Sequence, residues 1–187
     1  MTNTKPAYDT DRTRETALAE LFGTLDKNRI PYAVLRNFDS ISELASSNEV
    51  DLFVLPEHVD AFRRAAERLN WRQRDRRLGE YPHVFFERHF EGTLLVLDVV
   101  IEICYDSARY RLAPVVVARL ADYIMPQSQI RRFEPWISML LLSLHVSFSR
   151  EKMSENDRRC FQMLYRECST DPDGTVLLRL FGDKAKP

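Results

Sequence analysis

The stretch SNEVDLFV, residues 47–54, decides the fold because it joins an apolar run to two acidic residues at strand spacing. Successive side chains of a strand point to opposite faces, so Glu49 and Asp51 are expected to project from the same face. Two carboxylates side by side repel each other and need a cation or protons between them, unless the strand end is simply hydrated. The stretch therefore predicts a strand that carries an acidic pair.

A third acidic residue, Asp98, lies inside the apolar run TLLVLDVVI, residues 93–101. We predict a strand over residues 93–103 that is covered on both faces, as is typical of the middle of a sheet. An unpaired carboxylate is costly there, so Asp98 needs a metal, a cation or strong hydrogen-bond donors. One alternative is an ion pair with an arginine. The other is a shared site with Glu49 and Asp51, whose oxygens are ligands that Mg²⁺ prefers.

The remaining pattern alternates helices and strands. A helix is predicted over residues 12–28, a strand over 32–35, a short helix from the capping box of Ser40 and Glu43, and a helix over 56–69. Strands follow over 72–77 and 83–90, with a tight turn at Glu91 and Gly92. A helix is predicted over residues 114–120, and the last third of the chain is predicted to form helices over 135–150, 154–168 and 175–181. This order predicts an α+β fold with a disordered lead-in (1–10), an α+β domain (11–125) and a helical C-terminal subdomain (126–187).

Composition excludes several classes of function. Lys and Arg number 27 and Asp and Glu 28, a net charge of -1 that argues against a general nucleic-acid or membrane binder. None of the 5 glycines is spaced for a phosphate-binding loop or a dinucleotide fingerprint. The 3 cysteines form no CxxC pair and are typical of thiols in a reducing compartment. With a polar N-terminus and no apolar run long enough to span a bilayer, we expect a cytoplasmic protein, of undetermined oligomeric state.

Together these motifs resemble a known family. The strand at 32–35 runs into Arg36 and Asn37, the short helix follows, and then come NEVDLFV (48–54), LDV (97–99), and helices with SLH (143–145) and DRR (157–159). Over residues 15–170 this resembles the DNA polymerase beta superfamily of nucleotidyltransferases, in its small bacterial branch. The resemblance implies a mixed nucleotidyltransferase-type sheet flanked by helices. It also implies catalytic and metal-binding roles for Glu49, Asp51 and Asp98, and nucleotide-binding roles for Arg36, Asn37 and Ser40.

The activity implied by the resemblance is transfer of a nucleoside monophosphate from an NTP such as ATP to the hydroxyl of a small molecule or a protein side chain. Mg²⁺ or Mn²⁺ would be the cofactor, held by Glu49, Asp51 and Asp98, and Asp98 would accept the hydroxyl proton. Two positions depart from the family pattern. Arg36 and Asn37 stand where the family usually has Gly-Ser or Gly-Gly, and Glu49 stands where it usually has Asp. The alternative is therefore a catalytically drifted relative that binds a nucleotide or a partner without turnover.

Three further features of the sequence have ordinary structural explanations as well as functional ones. The arginine-rich segment over residues 63–77 would suit RNA, but such runs are more often a solvated face. His83 and His89 are six residues apart on one predicted strand, about 20 Å, which excludes a shared metal. Glu102 lies four residues after Asp98 and is therefore expected on the same strand face, where it is a possible substitute ligand if Glu49 is out of position.

Overall fold

The computed structural model describes residues 8–35, 40–75, 82–90, 92–105, 109–125, 130–149 and 154–168. The helices are α1 (Tyr8–Lys27), α2 (Ile41–Ser46), α3 (Val59–Arg68), α4 (Pro114–Leu120), α5 (Pro135–Ser149) and α6 (Glu155–Cys168). The strands are β1 (Tyr32–Val34), β2 (Glu49–Val54), β3 (Arg72–Gln73), β4 (His83–Phe90), β5 (Thr93–Val100), β6 (Cys104–Tyr105), β7 (Tyr110–Arg111), β8 (Ile124–Met125) and β9 (Arg132–Phe133).

The main sheet is mixed, as predicted. Within the described part of the chain it has seven strands in the order β3-β4-β5-β2-β1-β9-β8. Strands β2 and β5 are parallel, as are β1 and β9, and the other neighbours are antiparallel. Strands β6 and β7 pair with each other outside this sheet. The prediction of an α+β fold with a mixed sheet flanked by helices is confirmed.

The two faces of the sheet carry separate core clusters. Val50, Leu52 and Val54 of β2 pack into a first cluster with apolar residues of α1 and α3. Phe53, which points to the opposite face, belongs to a second cluster with residues of α4 and α5, among them Ile137. Because side chains alternate along a strand, Glu49 and Asp51 share the face of Phe53. The acidic pair therefore lies on the side of the sheet that the C-terminal helices cover.

Several boundaries of helices and strands differ from those predicted from the sequence. Helix α1 begins at Tyr8, inside the predicted disordered lead-in. Strand β5 ends at Val100 rather than at 103, because its partner β4 begins at His83, opposite Val100. Strand β9 lies beyond residue 125 yet pairs with β1, so the division of the chain at that residue stays a prediction.

Other predictions fall outside the described residues. They are the helix over 175–181, residues 76 and 77 of the predicted third strand, and the first seven residues of the lead-in. Among the residues that are described, no helix is both long and apolar enough to cross a membrane.

Arg14 of α1 ties three chain segments together beneath the sheet. Its guanidinium is only 4 % exposed, and Nη1 donates hydrogen bonds to the carbonyl oxygens of Ala45 (3.0 Å) and Ser47 (3.3 Å). Nη2 donates to the carbonyl of Leu94 at 3.1 Å. Hydrogen bonds from a charged donor are among the stronger ones, and these connect the end of α2 with the beginnings of β2 and β5. Arg14 thus holds together the entry points of the two strands that carry the acidic residues.

We expect Arg14→Met to lower the free energy of unfolding by about 2–4 kcal/mol, because one buried and two partly buried carbonyl groups lose a charged donor. Urea unfolding followed by circular dichroism measures the change. Arg64→Met, on the exposed face of α3, is the matched control and should leave the midpoint nearly unchanged. Equal midpoints for the two variants would contradict the structural role of Arg14.

Candidate active site

The carboxylates of Glu49, Asp51 and Asp98 meet on one face of the sheet. Asp51 pairs directly with Asp98 across the parallel strands β2 and β5, and Glu49 lies two residues before Asp51 on the same face. Each residue offers one oxygen, and these oxygens all lie within 4.8 Å of one another. Asp51 is 8 % exposed and the Asp98 side chain 13 %, whereas Glu49 is open to solvent. The structure thus brings together the three acidic residues that the sequence indicated.

The partner that the structure gives Asp98 is a histidine rather than an arginine. Nδ1 of His83, on the antiparallel neighbour β4, lies 2.6 Å from Oδ1 of Asp98. The His83 side chain is 34 % exposed and stacks against the ring of Phe85, with centroids 6.1 Å apart. This contact gives the largely buried Asp98 carboxylate the hydrogen-bond donor that it requires.

The acidic surroundings change the proton affinity of His83. The hydrogen bond to Asp98 raises the pKa of His83 above its usual 6.5, against the lowering effect of burial. The negative charges of Asp98, Asp51 and Glu49 raise it further. The imidazole therefore tends to carry a positive charge, which offsets part of the repulsion among the three acids.

Helices α5 and α6 line a partly open cavity beside Asp51, His83 and Asp98. It has a volume of about 180 Å³, and its wall is mostly apolar, with contributions from Leu141 and Leu142 of α5 and Leu164 of α6. His145 of α5 also lines it and packs near the ring of Tyr105, with centroids 6.3 Å apart. The acidic site therefore opens into a chamber beside the C-terminal helices.

Comparisons with known proteins agree with this architecture. The solution structure of the antibiotic-resistance factor ANT(2'')-Ia matches with a TM-score of 0.51 and 11% identity, covering 86% of this chain and 85% of that one. The chain has a nucleotidyltransferase-type fold. The lincomycin-bound lincosamide antibiotic adenylyltransferase LnuA is also similar, with a TM-score of 0.46, 13% identity, and coverage of 81% and 96%. No protein-family model and no curated protein sequence matches the chain.

Of the predicted nucleotide-binding residues, the structure describes Ser40, at the start of α2. Ser40 is the N-cap of α2, and its Oγ accepts a hydrogen bond from the backbone N–H of Glu43 at 3.2 Å, which confirms the predicted capping interaction. Arg36 and Asn37 lie outside the described residues. The nucleotide-binding roles of all three stay predictions.

The prediction that Glu102 lies on the same strand face as Asp98, and could therefore replace a ligand, is wrong. Strand β5 ends at Val100, so the strand-face relation to Asp98 does not extend to Glu102. The Glu102 carboxylate instead meets the guanidinium of Arg111, on β7, at 3.4 Å.

Sequence reasoning missed His83 as a site residue, although the signal was present. The predicted turn at Glu91 and Gly92 pairs Phe90 with Thr93, and counting back along the hairpin then pairs Phe85 with Asp98 and His83 with Val100. Cross-strand partners share a face, and diagonal neighbours are within reach of long side chains. The hairpin register thus puts His83 on the same face of the sheet as Asp98, as its diagonal neighbour on the adjacent strand.

In the metal-free protein we expect the pKa of His83 to lie above 6.5 and to fall in Asp98→Asn, which removes its hydrogen-bonded charge. The raised pKa means that the pair stabilises the fold fully below the unfolded-state pKa, and that this stabilisation is lost as pH rises through the folded-state pKa. Adding Mg²⁺ should lower the pKa again, because a nearby cation disfavours the imidazolium. NMR titration of the histidine ring protons measures the pKa of His83 in the metal-free protein, in Asp98→Asn and in the presence of Mg²⁺, with a chelator as the metal-free reference. A His83 pKa unchanged by Asp98→Asn would contradict the contact.

Proposed function

We propose that this chain is a metal-dependent nucleotidyltransferase that moves a nucleoside monophosphate from an NTP to the hydroxyl group of a small molecule. The observation that carries the proposal is the convergence of Glu49, Asp51 and Asp98 beside a cavity, in a nucleotidyltransferase-type fold. A surface cluster of acids would be hydrated, but two of these three carboxylates are largely withdrawn from water.

The donor set fits Mg²⁺ or Mn²⁺. It consists of carboxylate oxygens alone, which these hard ions prefer. Ligand oxygens around a Mg²⁺ ion lie about 3–4 Å apart, given metal–oxygen distances of ~2.1 Å. Oxygens already within 4.8 Å of one another reach that spacing by small side-chain movements. When bound, the ion would supply positive charge that offsets the triphosphate and lowers the pKa of the acceptor hydroxyl.

The reaction consists of one exchange of bonds at phosphorus. The acceptor oxygen forms a bond to the α-phosphorus of the NTP, the bond from that phosphorus to the bridging oxygen breaks, and pyrophosphate leaves. Asp98 is the base that takes the hydroxyl proton, since it is a carboxylate on the cavity wall. Arg36 and Asn37, with the start of α2, remain the predicted contacts to the triphosphate.

His83 has a positioning role in this proposal. Its Nδ1 hydrogen bond fixes one oxygen of Asp98. A carboxylate that is held in one orientation acts on the hydroxyl with less loss of conformational freedom. His83 thus acts through Asp98 rather than on the nucleotide.

The competing function is a drifted relative that binds nucleotide without turnover. Glu49 favours it, because the longer side chain is exposed and stands where the family usually has Asp. Mg²⁺-dependent nucleotide binding with no pyrophosphate release, across a broad panel of alcohols, would select this alternative.

We expect Asp51→Asn to abolish Mg²⁺-dependent nucleotide binding and to reduce transfer about 10²–10⁴-fold, because the site loses one of its two most buried anionic ligands. Calorimetric titration with Mn²⁺ and ATP, and a pyrophosphate-release assay, measure the two effects. Asp60→Asn is the charge-matched control. Asp60 lies on α3, outside the site, and its carboxylate is 2.6 Å from the guanidinium of Arg63. Full activity in Asp51→Asn would exclude the proposed chemistry.

Two variants of His83 separate positioning from mere packing. His83→Asn keeps an N–H donor close to the Nδ1 position, and His83→Leu removes it. We expect the Leu variant to lower kcat about tenfold or more with little change in the KM for NTP, and the Asn variant to recover much of the loss. The pH profile of kcat should also lose the His83 contribution in both variants. Equal loss in the two variants, with both folded, would argue against a positioning role.

A further inference from the structure

The wall of the cavity beside the acids exposes more apolar than polar surface. Away from the acidic site, the apolar part of the wall consists of Leu141, Leu142 and Leu164 from α5 and α6, together with Ile103 and Val100. The same two helices also contribute Ser138, His145, Asp157 and Cys160. Ser138, which also lines it, has its hydroxyl 3.5 Å from the carbonyl of Phe133, to which it donates. The Tyr105 hydroxyl donates to the carbonyl of Leu141 at 3.2 Å. Both hydroxyls therefore already have partners within the protein.

The carboxylates that line the cavity already have a place in the protein's own interactions or in the proposed metal site. Among the described residues that line it there is no lysine or arginine. Of its carboxylates, Asp51 and Asp98 belong to the proposed metal site, and Asp157 caps the start of α6, where Oδ2 accepts from the backbone N–H of Ser154 at 3.1 Å. Among the described lining residues, Asp157 is thus the one carboxylate outside the proposed metal site that a ligand with several ammonium groups could meet, and burying several such charges against a single carboxylate is costly.

The volume limits the size of the buried part of a ligand. The cavity measures about 180 Å³. For comparison, an apolar protein cavity of about 150 Å³ accommodates one benzene molecule. The cavity thus suits an apolar body of about one ring or one branched chain.

We propose that the acceptor is a compact alcohol with an apolar body and no multiple positive charge, its hydroxyl directed to Asp98 and its body seated against Leu142. This inference rests on the proposed transferase function and adds the substrate class. Leu142 is half-buried, lines the cavity, and belongs to neither of the two core clusters described above. It can therefore be enlarged with little effect on the core.

Binding of two simple probes tests the substrate class. We expect 2-phenylethanol to shift the methyl NMR signals of Leu141 and Leu142 in a saturable manner, and 1,3-diamino-2-propanol to give no saturable shift. Leu142→Trp should raise the Kd for 2-phenylethanol about tenfold or more, because the indole takes the volume that the probe would use. Val115→Trp is the matched control, since Val115 lies on α4 and is 63% exposed.

The outcomes separate this inference from the proposed function. Saturable binding of the diamine in place of 2-phenylethanol, no saturable binding of either probe, or binding insensitive to Leu142→Trp would each overturn the substrate class. Mg²⁺-dependent ATP binding is measured separately in the same samples. If that binding is absent or insensitive to Asp51→Asn, the proposed function fails, whichever probe the cavity accepts.

Discussion

The parallel pairing of β2 with β5 is the constraint on which the site depends. Its register sets Asp51 against Asp98, with Glu49 two residues earlier on the same face. A slip of one residue would turn the acids of one strand toward the first core cluster, where charge would be buried among apolar side chains. The guanidinium of Arg14 binds the chain at the start of both strands and so supports this register.

Electrostatics and packing meet at Asp98. Two aspartates on adjacent strands repel each other, and the C-terminal helices limit the water that would screen them. His83 reaches across from β4 and supplies a donor within hydrogen-bonding distance. The sheet thus provides both the anionic cluster that suits a divalent ion and the group that stabilises this cluster in the ion's absence. The apolar wall formed by α5 and α6 lies directly beside it.

Much of this arrangement could be predicted from local pattern. The alternation in residues 47–54 and the apolar run around Asp98 identified the two strands correctly, and Ser40 with Glu43 identified the short helix between β1 and β2. The hairpin register would also have brought His83 to Asp98, had it been counted from the turn at Gly92. The end of β5 could not be predicted from local pattern, because apolar residues continue beyond Val100. The strand ends there because its partner β4 begins at His83, opposite Val100.

The sequence by itself determined which residues carry charge inside apolar strands and on which face of its own strand each one lies, because side-chain alternation is a local property of the backbone. The tertiary structure alone decided that β2 lies beside β5 rather than elsewhere in the sheet, that β9 joins the sheet from beyond residue 125, and that α5 and α6 line a cavity beside the acids. These are contacts between segments far apart in the chain. They follow from how two separate core clusters pack on the opposite faces of one sheet, which no local pattern encodes.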